Sequence, residues 1–96
     1  MATETKNPFP KRLKEARLSR GFTQEQLGRA AGMSEEVASA RMNQYEKGVH
    51  HPDFQWIARI AKELGFPTAY FFALEDDLAE VISNYKSTEK TLESSK

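Results

Sequence analysis

Thr23, Gly32, Ser34 and Gly48 cut the middle of the chain into two short helical windows. The Thr23 hydroxyl can accept a hydrogen bond from a backbone N–H that the first helical turn leaves free, and the window behind it places Leu27 in a core. Gly32 can take the left-handed conformation needed where this helix must stop, and Ser34 stands where it can cap the next. Two short helices separated by a glycine-containing turn are thereby held at a steep angle, which removes most packings open to a chain of this length.

The remaining periodicity is helical, with no internal repeat and no useful strand-like alternation. A first helix is expected from about Pro10 to Arg20, with Leu13, Ala16 and Leu18 inward and Gly21 as its stop. The second spans about Gln24 to Ala31 and offers Leu27, Ala30 and Ala31 to the core. The third follows Ser34, carries Glu35 and Glu36 at the favourable end of its dipole, and continues an apolar stripe through Val37, Ala38, Met42 and Tyr45. Asp53 caps a fourth helix, Phe54 to Leu64, whose inward stripe is Ile57, Ile60, Ala61 and Leu64. A short fifth, about Ala69 to Ala73, and a sixth, Asp76 to Tyr85, complete the set. Leu78, Val81, Ile82 and Tyr85 form an apolar face on the sixth that needs a partner.

Ninety-six residues suffice for one small domain and a tail. Without cysteine there is no disulfide and no thiolate metal site. No apolar run is long enough for a signal peptide or a membrane helix, so a cytoplasmic protein with no membrane association is expected. Formal charge is zero but unevenly distributed. Through Gly65 there are eleven basic and eight acidic residues; from Phe66 onward there are three and six. A mildly basic front half suits a face turned to phosphate.

These observations converge on a helix-turn-helix unit, whose second helix can lie in the major groove of duplex DNA. From Arg12 to about Phe72 the chain resembles the phage-repressor, Xre/Cro-like group of helix-turn-helix DNA-binding domains. The matching segments are Arg12-Leu13-Lys14-Glu15-Ala16-Arg17, Gly21-Phe22-Thr23-Gln24-Glu25-Gln26-Leu27, Ala31-Gly32-Met33-Ser34, Asn43-Gln44-Tyr45-Glu46-Lys47-Gly48, Pro52-Asp53 and Ile60-Ala61-Lys62-Glu63-Leu64-Gly65. The resemblance implies an all-α, compact five- or six-helix repressor-like bundle. Residues 1–8 are read as a disordered N-terminal arm, 9–74 as the DNA-binding domain, 75–86 as a C-terminal helix suited to dimerisation, and 87–96 as a disordered tail.

One departure stands out. Family members usually have four residues from the serine cap to the apolar anchor preceding the Tyr-Glu pair, whereas Ser34 to Met42 is longer by another four, about one helical turn or ~6 Å. Either the third helix is extended at its N-terminus or the turn is longer and the helix begins near Ala38. The Ser34-Glu35-Glu36 start signal favours the extended helix, although its two carboxylates would then approach phosphates.

Aligned from its Met42-Tyr45-Glu46 end, the reading helix, within 34–47, carries the family's base-facing positions on Ser39, Ala40, Asn43 and Gln44. The Asn43 and Gln44 amides can contact adenine N6 and N7, Ala40 can pack on a thymine methyl, and Arg41 can reach guanine or phosphate. Thr23, Gln24, Lys47 and His50 fall where the family touches the DNA backbone, and Gln24 also buttresses the reading helix. Arg17 and Glu46 correspond to a charged pair joining the first and third helices. The bland alternative is that Asn43 and Gln44 simply solvate a helix.

The implied function is sequence-specific transcriptional regulation as a homodimer, with Leu78, Val81, Ile82 and Tyr85 at the subunit contact unless that helix folds back on its own domain. The competing reading is an antitoxin or accessory protein-interaction module that uses the aromatic C-terminal helices, including Tyr70, Phe71 and Phe72, to hold a protein partner. No catalytic constellation is evident and no cofactor is implied. His50 and His51 beside one aspartate make a poor metal-ligand set.

Overall fold

The computed structural model describes residues 6–85. Five α-helices and one 3-10 segment follow one another: α1 (Phe9–Ser19), α2 (Gln24–Ala30), α3 (Glu35–Lys47), α4 (Phe54–Leu64), the 3-10 segment (Thr68–Phe72) and α5 (Asp76–Ser83). No strand occurs among the described residues. The architecture is the all-helical one expected, and no described helix is long and apolar enough to cross a membrane.

One apolar cluster joins all six elements. Phe9 and Leu13 from α1, Leu27 from α2, Met42 from α3, Ile60 and Leu64 from α4 and Phe71 from the 3-10 segment are fully buried. Burial of side chains this size contributes about 1.5–3 kcal/mol each. Within α4 the inward stripe is the one its sequence pattern predicts. In α1 and α2 it is narrower than expected, since Leu18 is 58 % exposed and Ala30 also faces solvent. Val37 likewise turns outward, so the inward stripe of α3 reduces to Ala38, Met42 and Tyr45.

Helix α3 begins at Glu35 and runs for 13 residues, about 20 Å. The extra four residues therefore lengthen the helix and leave the turn short. Ser34 occupies the N-cap position with extended backbone, but its side chain accepts no capping hydrogen bond, contrary to expectation. Helix α2 has the stronger start: Gln26 N donates to Thr23 Oγ1 at 3.0 Å while Thr23 N donates to Gln26 Oε1 at 2.9 Å. Two otherwise free donors are satisfied reciprocally. The α2–α3 turn passes through Gly32 at φ +112°, a region that a side chain would resist.

The α2–α3 crossing depends on a close backbone approach. A Cβ built on Gly28 would lie 2.8 Å from Ala38 Cβ and 3.0 Å from the Ala38 carbonyl oxygen. Ala38 belongs to the extra turn of α3, so the insertion is seated on α2 and shares in the packing.

At the C-terminal side the expected short fifth helix is a 3-10 segment of five residues between Pro67 and Ala73, and it buries both Tyr70 and Phe71. Phe71 lies against Phe9 at 5.8 Å and edge-on to Tyr70 at 5.2 Å between ring centroids. Buried Arg12 ties this segment to α1, donating to the Ala73 carbonyl through Nε at 3.1 Å and Nη2 at 2.8 Å. It also pairs with Asp76 at the start of α5, where Lys11 makes a second 3.1 Å contact.

Hydrogen bonds from Lys11 and then Arg12 hold the Asp76 carboxyl below its ordinary range. A lowered carboxyl pKa stabilises the fold above the ordinary carboxylate value near 4, and the contribution is lost as pH falls through the folded-state value. Thermal unfolding followed against pH should therefore show a shallower acid decline for Asp76→Asn than for the natural chain. Parallel declines would show that the contact contributes nothing.

Helix α5 ends at Ser83, before the predicted Tyr85, and docks through Ala79, with Ile82 half-buried against the core. The expected four-residue apolar face is therefore divided. Ile82 belongs largely to the domain's own packing, while Leu78, Val81 and Tyr85 remain exposed. At the other end, the proposed arm 1–8 is engaged by residue 7: Asn7 Oδ1 accepts from Phe9 N at 3.0 Å and Asn7 Nδ2 lies 3.3 Å from His51 Nδ1. Residues 1–5 and the tail 87–96 lie outside the described residues.

Candidate nucleic-acid interface

Three and a half to four residues per turn place Glu36, Ala40, Asn43 and Lys47 in one row along α3, opposite its buried stripe of Ala38, Met42 and Tyr45. Ser39 stands on the flank toward α2, and Arg41 and Gln44 on the flank toward α4. Glu36, Ser39, Ala40, Arg41 and Lys47 are exposed, whereas Asn43 and Gln44 are half-buried.

The anticipated contact residues thus fall on two sides of one projecting ridge. Thr23, Gln24, Asn43 and Lys47 gather around a shallow cleft completed by Lys14, Arg17, Leu18, Phe22 and Glu46. Arg41, Gln44 and His50 lie across the ridge around a second depression with Tyr45, His51, Pro52, Asp53 and Trp56. Ser39 and Ala40 border neither cleft. Sequence reasoning did not single out Lys14; its four-residue spacing from Leu18 on α1 was the available signal, but the approach to Lys47 is tertiary.

Beneath the first cleft lies a charged anchor. Arg17 grips Glu46 with two hydrogen bonds, one through Nε to Oε2 and one through Nη2 to Oε1 at 3.1 Å, and its Nη1 donates to the Phe22 carbonyl at 2.9 Å. Their side chains retain only 10 % and 4 % exposure, and the fork-shaped guanidinium meets the carboxylate in a two-point geometry. This pair fixes the last turn of α3 against α1, in agreement with the expected charged pair.

Gln24 extends the anchor. Its Nε2 donates to Glu46 Oε1 at 3.0 Å and to Asn43 Oδ1 at 3.2 Å. Buttressing of α3 by Gln24 is therefore present as hydrogen bonds to two α3 side chains. Both hydrogens of its amide nitrogen are directed into the protein, which leaves its carbonyl oxygen as the free polar atom.

On the second side, burial pushes the Tyr45 hydroxyl pKa up, while the Arg41 guanidinium opposes the shift. The His51 ring meets Phe9 edge-on at 5.3 Å, which ties the α3–α4 connection to α1. Asp53 Oδ1 accepts from Trp56 N at 3.0 Å and caps α4 as expected.

A family model described as a helix-turn-helix domain matches residues 11–70, well over half of the chain. The chain belongs to the helix-turn-helix family. A crystal structure of the transcriptional regulator BswR resembles it with a TM-score of 0.77 and 42 % sequence identity, over 90 % of this chain and 88 % of that one. No curated protein matches the chain. The helix-turn-helix of this chain is α2, the Gly32 turn and α3, and the two clefts flank its second helix.

Proposed function

We propose that this helix-turn-helix protein binds duplex DNA sequence-specifically as a homodimeric transcriptional regulator, with α3 in the major groove. The observation that carries the reading is the outer ridge of α3, which combines exposed basic groups with the half-buried amides of Asn43 and Gln44 and is braced from behind by the Arg17–Glu46 pair. The likeness to a transcriptional regulator over nine-tenths of the chain supports the same reading. In this reading Gln44, Ser39 and Ala40 meet base edges. Lys47 and Thr23 on one side, and Arg41 and His50 on the other, are positioned for the backbones that border the groove.

One such domain spans only a few base pairs, so discrimination calls for two copies on half-sites about one helical turn apart. Leu78, Val81 and Tyr85, exposed by 46, 66 and 60 %, form the α5 surface proposed to meet a second copy, with half-buried Ile82 beside them on the helix; Phe72 and Leu74, earlier in the chain, are exposed as well. Exposed side chains of this size in one neighbourhood are the usual mark of a protein contact.

Selection of bound duplexes from a random pool should yield a two-fold symmetric motif. Gln44→Ala should relax one position in each half-site, with a loss of about 1–3 kcal/mol for a two-point base contact. Lys47→Gln should weaken all duplexes alike and reduce the salt slope of binding by about one. A motif unchanged by Gln44→Ala would place the reading elsewhere. In sedimentation, Val81→Glu should shift the protein from dimer to monomer; an unchanged distribution would remove α5 from the subunit contact.

A further inference from the structure

The hydrogen-bond polarity of the first cleft is set by one charge. Both Glu46 oxygens accept from Arg17, so the group that faces Gln24 can only accept. Gln24 must therefore turn its nitrogen, not its oxygen, toward Glu46, and it does so at 3.0 Å. The same nitrogen has one hydrogen left and directs it at Asn43, 3.2 Å away, so Asn43 must answer with its oxygen. Reversing Asn43 would set two amino groups against each other. The order Arg17, Glu46, Gln24, Asn43 is thus a directional relay that ends on the outer row of α3.

We propose that this relay makes Asn43 a donor-presenting reader: with Oδ1 turned to α2, the group offered outward is the Nδ2 amino group, and the base edge that suits it is guanine. In the major groove guanine presents two acceptors, N7 and O6, and thymine one, O4 beside its methyl group, whereas cytosine presents only the N4 amino donor, so guanine suits an outward amino group best. Adenine needs an outward acceptor for its N6 group as well as a donor for N7, and the relay directs the Asn43 acceptor inward. This narrows the adenine contact anticipated for Asn43 from residue type alone; Gln44, on the other flank, is outside the relay. Gln24 acts here as a positioning residue. The inference rests on the DNA-binding reading given above.

The test is duplex selection with the full chain and two variants. The natural chain should favour guanine over cytosine at one position per half-site by about tenfold, the scale of one hydrogen bond gained against a donor facing a donor. Gln24→Met keeps the side-chain length but cannot donate. It should lower that preference several-fold at this position, with a circular-dichroism melt confirming the fold, and leave the position read by Gln44 unchanged. Asn43→Asp keeps the planar shape and still accepts from Gln24, but presents an acceptor outward. It should turn the preference toward cytosine at the same position, an outcome that a purely structural role for Asn43 would not produce. Enrichment of no motif by the natural chain overturns the DNA reading and this inference together. A motif that appears and is identical in both variants, or one with adenine at the Asn43 position, overturns this inference alone.

Discussion

Gly28→Val is expected to destabilise the fold by about 3 kcal/mol, at the upper end of the range for overpacked sites, and to lower Tm by roughly 15 °C for a domain of this size. The first added carbon would lie 2.8 Å from Ala38 Cβ, 3.0 Å from the Ala38 carbonyl oxygen and 3.1 Å from its Cα. Two of those three atoms are backbone, so no rotamer change relieves the contact and α2 and α3 must separate. Gly28→Ala should be milder, because alanine regains up to about 1 kcal/mol of helix propensity over glycine. Combining Gly28→Ala with Ala38→Gly should restore part of the loss by removing the Cβ–Cβ contact, while the carbonyl contact persists. Since the crossing also aligns Gln24 with Asn43, Gly28→Val should broaden base preference in whatever fraction remains folded. Calorimetry decides the first point; a valine variant that melts with the natural chain would show that the two helices part easily.

What the sequence disclosed and what it withheld divide along a physical line. Capping and stripe signals are local, so Thr23, Asp53 and the Ile57–Leu64 pattern located α2 and α4 to within a residue or so. The longer spacing before Met42 was readable as an extra helical turn, and that reading holds because Glu35 and Glu36 begin the helix. Contacts that depend on how helices cross were not readable. Gly28 looks like a weak point inside a helix until Ala38 is seen against it. Ile82 shares a periodicity with Leu78, Val81 and Tyr85, yet periodicity defines a face and not its partner, and α5 rotates so that Ala79 and Ile82 meet the domain. At the site, the sequence supplied the residues of the ridge but not the hydrogen-bond direction among them. Asn43 and Gln44 look equivalent as adjacent amides, and only the tertiary approach of Gln24 to one of them separates their roles.

Glu46→Ala is expected to cost about 3–5 kcal/mol, the scale for removing one member of a buried ion pair. The guanidinium of Arg17 would remain largely enclosed, keeping only its hydrogen bond to the Phe22 carbonyl, and Gln24 would lose the acceptor that orients it. Arg17→Met should cost a comparable amount for the converse reason, since Glu46 would keep only the Gln24 donor. Most of each loss is the penalty of stranding a charge, so the double variant Arg17→Met/Glu46→Leu should be more stable than either single variant. Recovery should stop short of the natural chain, because the Phe22 carbonyl loses its Arg17 donor and the Gln24 amide keeps only its bond to Asn43. Denaturant unfolding of the four proteins yields the coupling energy directly. Additive losses would show that the pair is no more than two independent surface charges. A double variant that regains its fold would still lack the carboxylate that orders the amides above it, and it should read the Asn43 position without preference, which separates the stability supplied by this ion pair from the polarity it imposes.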